Sequence, residues 1–193
     1  MEGIFRISGG QDKIFEFKDM FDRGAVPDLK NESVHIIAGL FKLWLRKLPD
    51  PIIPFSHYHE WIKQVPILKN LEIGKEVKKT AEITKILTHL LDQLPKENKQ
   101  VLTEIMRFVV RVVSYHQVNL MTSANMSIVL SPNILYIPIE SNEDLLNTSF
   151  DISGSNEAIR ILIEYSKHVF KFVSKDPKFK TVRYFILFFF LII

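Results

Sequence analysis

The sequence predicts an all-α protein, a multi-helix bundle. Apolar residues recur at three- and four-residue spacing along most of the chain, while Pro, Gly, Asn and Ser gather between those stretches. No run of alternating apolar and polar residues reaches strand length, and no internal repeat is present.

Taken in order, "DKIFEFKDMF" sets Ile14, Phe17 and Phe21 on one helical face, and Gly24-Ala25-Val26-Pro27 ends it. "SVHIIAGLFKLWLRKL" repeats Val34, Ile37, Phe41, Trp44, Leu45 and Leu48. Asn31 or Ser33 caps its start, and it stops before Pro49. "PDPIIPF" is a proline-punctuated connector, followed by a short helix in "FSHYHEWIKQV". Residues 76–93 form another, with Ile83, Ile86, Leu87, Leu90 and Leu91 on one side. Pro95 suits a first helical position before "KENKQVLTEIMRFVVRVVSYH". "MTSANMSIVL" is a further helix closed by Ser131-Pro132-Asn133. "SNEAIRILIEYSKHVFKFV" is the last clear one, capped by Ser155 or Asn156.

The chain has 193 residues, enough for one core of ordinary size, and its 47% hydrophobic and 24% charged residues are a globular composition. Cysteine is absent. That excludes disulfides, a thiolate nucleophile and Cys-ligated metal, and suits a reducing compartment. No apolar leader follows Met1, so the expected location is cytoplasmic. The net charge of +3 is uneven: Lys167, Lys171, Lys175, Lys178, Lys180 and Arg183 face one acid, Asp176, leaving the rest of the chain net negative. A nucleic-acid binder spreads its cations more widely, and no nucleic-acid partner is expected. Phosphate-binding glycine loops, nucleophile elbows and zinc-protease motifs are absent. His57 and His59 lack a matching ligand set, so neither a metal nor a cofactor is expected.

Three stretches remain. In "MEGIFRISGG", Arg6 stands between the apolar Ile4, Phe5 and Ile7 and the turn residues Ser8, Gly9 and Gly10. It reads either as a surface cation paired with Glu2 or Asp12, or as a charge projected from an apolar knuckle hinged by glycines. In "LFKLWLRKLPDP", Lys42 and Arg46 lie four apart on one helix face. They read either as an anion-facing pair or as cations compensating the helix C-terminus. In "NLMTSANMSIVLSPNIL", Asn125 falls between Met121 and Ile128 on an otherwise apolar side. Its amide either bonds neighbouring backbone or waits at a rim for a partner's polar group.

Together these stretches resemble the RhoGAP domain, the GTPase-activating module for Rho-family small GTPases. "GIFRISG" is similar to its arginine-finger loop and "LFKLWLRKLPDPII" to its L-K-x-F-L-R-E-L-P-x-P-L segment. "NLMTSANMSIVLSPNIL" is similar to its N-K-M-x-x-x-N-L-A-x-V-F-x-P-N-L-L segment, and the order is the family's. The resemblance covers about residues 1–173. It implies that Arg6 is the catalytic finger inserted into the nucleotide site of a GTP-bound Rho-type GTPase. Lys42 and Arg46 would support the loop and contact the GTPase, and Asn125 would hydrogen-bond it. GTP and magnesium would belong to the partner, so the chain is an activator and not itself an enzyme. The alternative is a module of the same fold that binds without stimulating hydrolysis.

The departures are Lys47 where the family usually has Glu, Leu120 where it has Lys, and Leu130-Ser131 where it has Phe-Gly or Phe-x before Pro-Asn. They leave partner choice open without touching Arg6. The family also carries a helical segment before the finger loop. The resemblance therefore implies a domain short of its N-terminal helices, with an exposed groove and impaired activity. Residues 174–193 read as a separate tail, basic and then apolar. "YFILFFFLII" covers about 15 Å as a helix, half a bilayer core. It is open to three readings: a membrane contact assisted by the basic run, a packing element, or non-native sequence.

Overall fold

The computed structural model describes residues 2–73, 76–137 and 142–171, and the tail from 174 onward lies outside the described residues. Eight helices, and no strand, are found among them. Helix α1 (Gln11–Asp22) buries Phe17 and carries Lys13 above that ring. Helix α2 (Val34–Lys47) starts at Ser33, whose hydroxyl accepts the His35 N–H, so of the two caps the sequence left open Ser33 is the one used. It buries Ile37, Ala38, Leu40, Phe41, Leu43 and Leu45 and ends before Pro49. Helices α3 (Phe55–Glu72), α4 (Glu76–Asp92), α5 (Lys96–Ser114), α6 (His116–Asn119), α7 (Ser123–Ile134) and α8 (Asn142–Val169) follow. Pro95 precedes α5 as its cap, one position earlier than expected.

Three boundaries differ from the sequence reading. Helix α3 runs through Pro66 to Glu72, and α7 runs through Pro132 to Ile134. A proline inside a helix costs about 3 kcal/mol through its missing N–H and its clash with the preceding turn. In α3 the stripe Tyr58, Trp61, Val65, Leu68 is buried on both sides of the proline, and that burial offsets the cost. In α7 the residues after Ser131 continue into the core with Asn133 and Ile134. The carbonyl that Pro132 leaves unpaired belongs to Ile128, which is exposed where water can reach it. Helix α8 begins upstream of Ser155 and Asn156, because those side chains are spent on tertiary bonds and not on a cap. The Tyr58 and Ser155 hydroxyls pair, and Ser131 donates to the side-chain Oδ1 of Asn156.

Helix α8 is the element on which the others rest. It packs most extensively on α7 and also meets α3, α4 and α5, while α1 lies on α2 and α2 on α7. Ala158, Ile159, Ile161, Leu162 and Ile163 enter the same core as Trp61, Leu87, Val109 and Leu130. Arg160 fastens the edge, with its guanidinium on Glu72 of α3 and on Glu157 and Glu164 of α8. Its hydrogen bond holds the Glu157 carboxyl below the ordinary glutamate range. Ser123, the first residue of α7, donates to the other Glu164 oxygen at 2.7 Å. His57 joins α3 to the carbonyl of Gln93 beyond α4 at 3.0 Å.

Candidate functional site

Residues 3–10 form a tight, heavily anchored turn. Gly3 has φ +65°, a left-handed conformation natural to glycine, and its carbonyl accepts the N–H groups of Arg6 (3.0 Å) and Ile7 (2.9 Å). The Gly3 N–H donates to the Asn119 carbonyl at 2.8 Å, which ties the turn to the end of α6. Phe5 is also left-handed, with φ +70°. For a residue with a side chain this costs about 1–3 kcal/mol and persists only where the surroundings fix it. Here they do. The ring is fully buried, edge-on to Phe41 (centroids 6.2 Å apart) and Phe108 (5.8 Å). The Phe5 carbonyl accepts a hydrogen bond from Lys42 Nζ at 2.6 Å.

The next residue is Arg6, and it is exposed. Among the described residues its guanidinium has no hydrogen bond or ion pair, so neither Glu2 nor Asp12 takes the role of surface partner. The glycines after it differ from the hinges expected. A Cβ on Gly9 would stand 2.5 Å from the backbone nitrogen of Ile36, so Gly9 is where the loop presses onto the first turn of α2. Gly10 has ordinary φ of −60°, meets nothing, and caps α1.

Lys42 and Arg46 resolve differently from either reading of the pair. Lys42 points into the body as a strut for the turn. Burial, and secondarily the nearby Arg46, push its ammonium below the usual lysine range. Arg46 is exposed and donates from Nη1 to the side-chain Oδ1 of Asn133 at 3.4 Å. Asn133 is buried and donates in turn to the Val129 carbonyl at 2.9 Å.

Asn125 sits near the start of α7, whose cap Thr122 accepts the Asn125 N–H at 3.2 Å. Its side-chain NH2 donates to the Leu120 carbonyl at 2.8 Å, so local backbone takes one end of the amide. The loop it fastens contains Leu120, left-handed at φ +57°. Just before it lies Asn119, for which the sequence reading assigned no role. Asn119 is buried, donates to the Val112 carbonyl at 2.7 Å and accepts the Met121 N–H at 2.8 Å. The signal for it was an Asx turn, an Asn bonding backbone two residues on, just ahead of a capped helix. Because Asn119 also holds Gly3, it joins the Arg6 turn to the Asn125 loop. Asn119→Ala is expected to lose about 1–3 kcal/mol by urea denaturation, the cost of leaving buried backbone groups unpaired.

All four residues singled out in the sequence are thus tied into one region. Arg6 follows Phe5 on the Lys42 strut, Arg46 stands one turn along α2, and Asn125 connects through Leu120 and Asn119 to Gly3. Arg6 lines neither the cavity of about 400 Å³ between α3 and α4 nor the one of about 290 Å³ between α5 and α8. Its charge faces outward.

Residues 1–139 match the RhoGAP domain. The chain belongs to this family. Among curated relatives, Rho GTPase-activating protein gacY of Dictyostelium discoideum is 32% identical over 173 residues, covering 89% of this chain and 22% of the relative. Rho GTPase-activating protein 68F of Drosophila melanogaster is 37% identical over 135 residues, 70% of this chain and 26% of the relative. The chain therefore spans only about a quarter of the length of these relatives. The crystal structure of the BH domain from Graf, the GTPase regulator associated with focal adhesion kinase, is 25% identical. It superposes with a TM-score of 0.67 over 90% of this chain and 86% of that one. The all-helical expectation and the RhoGAP resemblance agree with these matches. Helix α8 lies beyond the matched RhoGAP range, yet it packs against α7, which lies inside it. No helix of the described residues is long and apolar enough to cross a membrane.

Proposed function

We propose that the chain is a GTPase activator for Rho-type small GTPases, acting in trans on the GTP-bound partner through Arg6. The observation that carries this reading is an exposed guanidinium with no partner among the described residues, one residue beyond a backbone fixed by Phe5 and Lys42. A planar, permanently charged fork fits the charge that develops on a transferring phosphoryl group. In this reading GTP and magnesium come with the GTPase, and the chain supplies electrostatic stabilisation, not a substrate pocket of its own. Lys42 positions the finger, while Arg46 and the free oxygen side of the Asn125 amide meet the docked GTPase. We take residues 1–173 as the domain and 174–193 as its tail, and the cysteine-free sequence suits action in the reducing cytoplasm.

The test is single-turnover GTP hydrolysis by a panel of Rho-type and Ras-type GTPases with and without the full chain. At least one Rho-type member is expected to be accelerated and the Ras-type members left at their intrinsic rates. Acceleration of none, with a complex still formed, would establish the binding-only module instead.

A further inference from the structure

Helices α3 and α4 pack side by side, and the seam between them opens into a cavity of about 400 Å³. Ile67 and Leu71 line it from α3, and Ile86 and Leu90 from α4. Ile67 is 48% exposed, and Ile73, just past the end of α3, is 86% exposed. The lining runs from Gln64 to Leu71 on one helix and from Glu82 to Leu90 on the other. The groove is therefore two helical turns long, about 11–12 Å. An apolar seam of this kind between two packed helices is a seat for a third.

The chain carries a segment suited to that seat beyond the described residues. Residues 184–193, "YFILFFFLII", contain no charge, proline or glycine. Left in water, such a run is a site for aggregation. An extended segment in an apolar groove would strand its N–H and C=O groups, whereas a helix bonds most of them internally. As a helix the run is about 15 Å long, enough to cover the groove and half of what a bilayer core requires. The reach is sufficient. Glu72, next to the groove residue Leu71, is bonded to Arg160, and from there α8 continues only about 14 Å to Val169. Residues 172–183 then span up to about 40 Å when extended. They include Lys175, Lys178, Lys180 and Arg183, and the rest of the chain is net negative, so charge draws them back towards the body.

We propose that residues 184–193 dock as a short helix in the α3–α4 groove of the same chain, which thereby covers its own apolar tail. Neither the groove nor the tail includes a residue assigned to GTPase activation, so the proposal stands or falls apart from that reading.

The cysteine-free sequence allows a direct test. In the full chain, Ile67→Cys is combined with a second cysteine at each position from 184 to 193 in turn. Disulfides are formed with a mild oxidant in dilute solution and read by non-reducing electrophoresis. Disulfides within one chain are expected at tail positions three or four apart, since pairing requires Cα atoms within about 7 Å. The same series with His116→Cys, in the cavity between α5 and α8, is expected to pair at least about tenfold more slowly. Thermal unfolding gives a second readout. Ile67→Asp is expected to lower Tm by about 4–8 °C with the native tail, and by less than about 2 °C in the Phe188→Asp/Phe189→Asp background. Disulfides only between chains would assign the tail to a second copy and overturn the proposal. Equal pairing with His116, no pairing at all, or the same Tm loss in both backgrounds also overturns it. Where no pairing occurs, sedimentation of the chain with phosphatidylserine vesicles would identify lipid as the occupant instead.

Discussion

Arg6→Ala is expected to lower the maximal stimulated rate of GTP hydrolysis by about 10³–10⁵, equivalent to about 4–7 kcal/mol of barrier, while affinity for the GTP-bound partner changes far less. The two readouts separate because of where Arg6 stands. Its side chain is exposed and bonds to nothing among the described residues, so its removal strands no internal group. Folding stability should move by no more than about 0.5 kcal/mol, as for an ordinary surface substitution. Arg6→Lys keeps the charge and loses the fork, and should recover only a small part of the rate. The check is single-turnover hydrolysis at saturating activator, with thermal unfolding of each variant alongside. Equal rates for wild type and Arg6→Ala would refute the finger.

Phe5→Ala carries the largest expected loss of stability, about 3–5 kcal/mol, or roughly 6–20 °C in Tm for a chain of this length. The ring is fully buried between Phe41 and Phe108, so alanine leaves a cavity under the turn. The backbone adds a diagnostic. Glycine ordinarily costs more than alanine at a structured position, but at φ +70° it relieves strain that alanine keeps. Phe5→Gly should therefore be no less stable than Phe5→Ala. Both should also lower the stimulated rate, since Arg6 loses the base that orients it. A Tm for Phe5→Ala within about 2 °C of wild type would show that the turn is not anchored through this ring.

The fold was legible wherever apolar periodicity met an ordinary stop. Helices α1, α2, α4 and α5 came from apolar spacing, and of the two caps offered for α2, Asn31 and Ser33, the structure uses Ser33. The failures were at Pro66, Pro132, Ser155 and Asn156, where a local signal was overruled by burial or by a bond to a residue far away in sequence. Tyr58 and Ser131 are the partners of the last two, and nothing in the neighbourhood of Ser155 or Asn156 announces them. The candidate site was legible as a set of residues but not as a set of contacts. That Lys42 holds a carbonyl and not an anion depends on Phe5 adopting a backbone unfavourable to it, which no propensity would suggest. Asn119 escaped because its work is done through backbone groups of Val112, Met121 and Gly3.

Helix α8 gives the family match and the folding unit different lengths. Every motif ends by residue 139, as does the family match. Yet Glu164 holds Ser123 at the head of α7, Asn156 holds Ser131 near its end, and Arg160 draws in Glu72 from α3. The helix bearing Asn125 thus owes part of its seat to residues beyond the matched range. Those three side chains and the apolar stripe beside them act on α7 and α3 from outside the range of the family match. A chain cut at the end of the family match would keep Arg6, Lys42, Arg46 and Asn125 and lose the buttress behind the helix that carries the last of them.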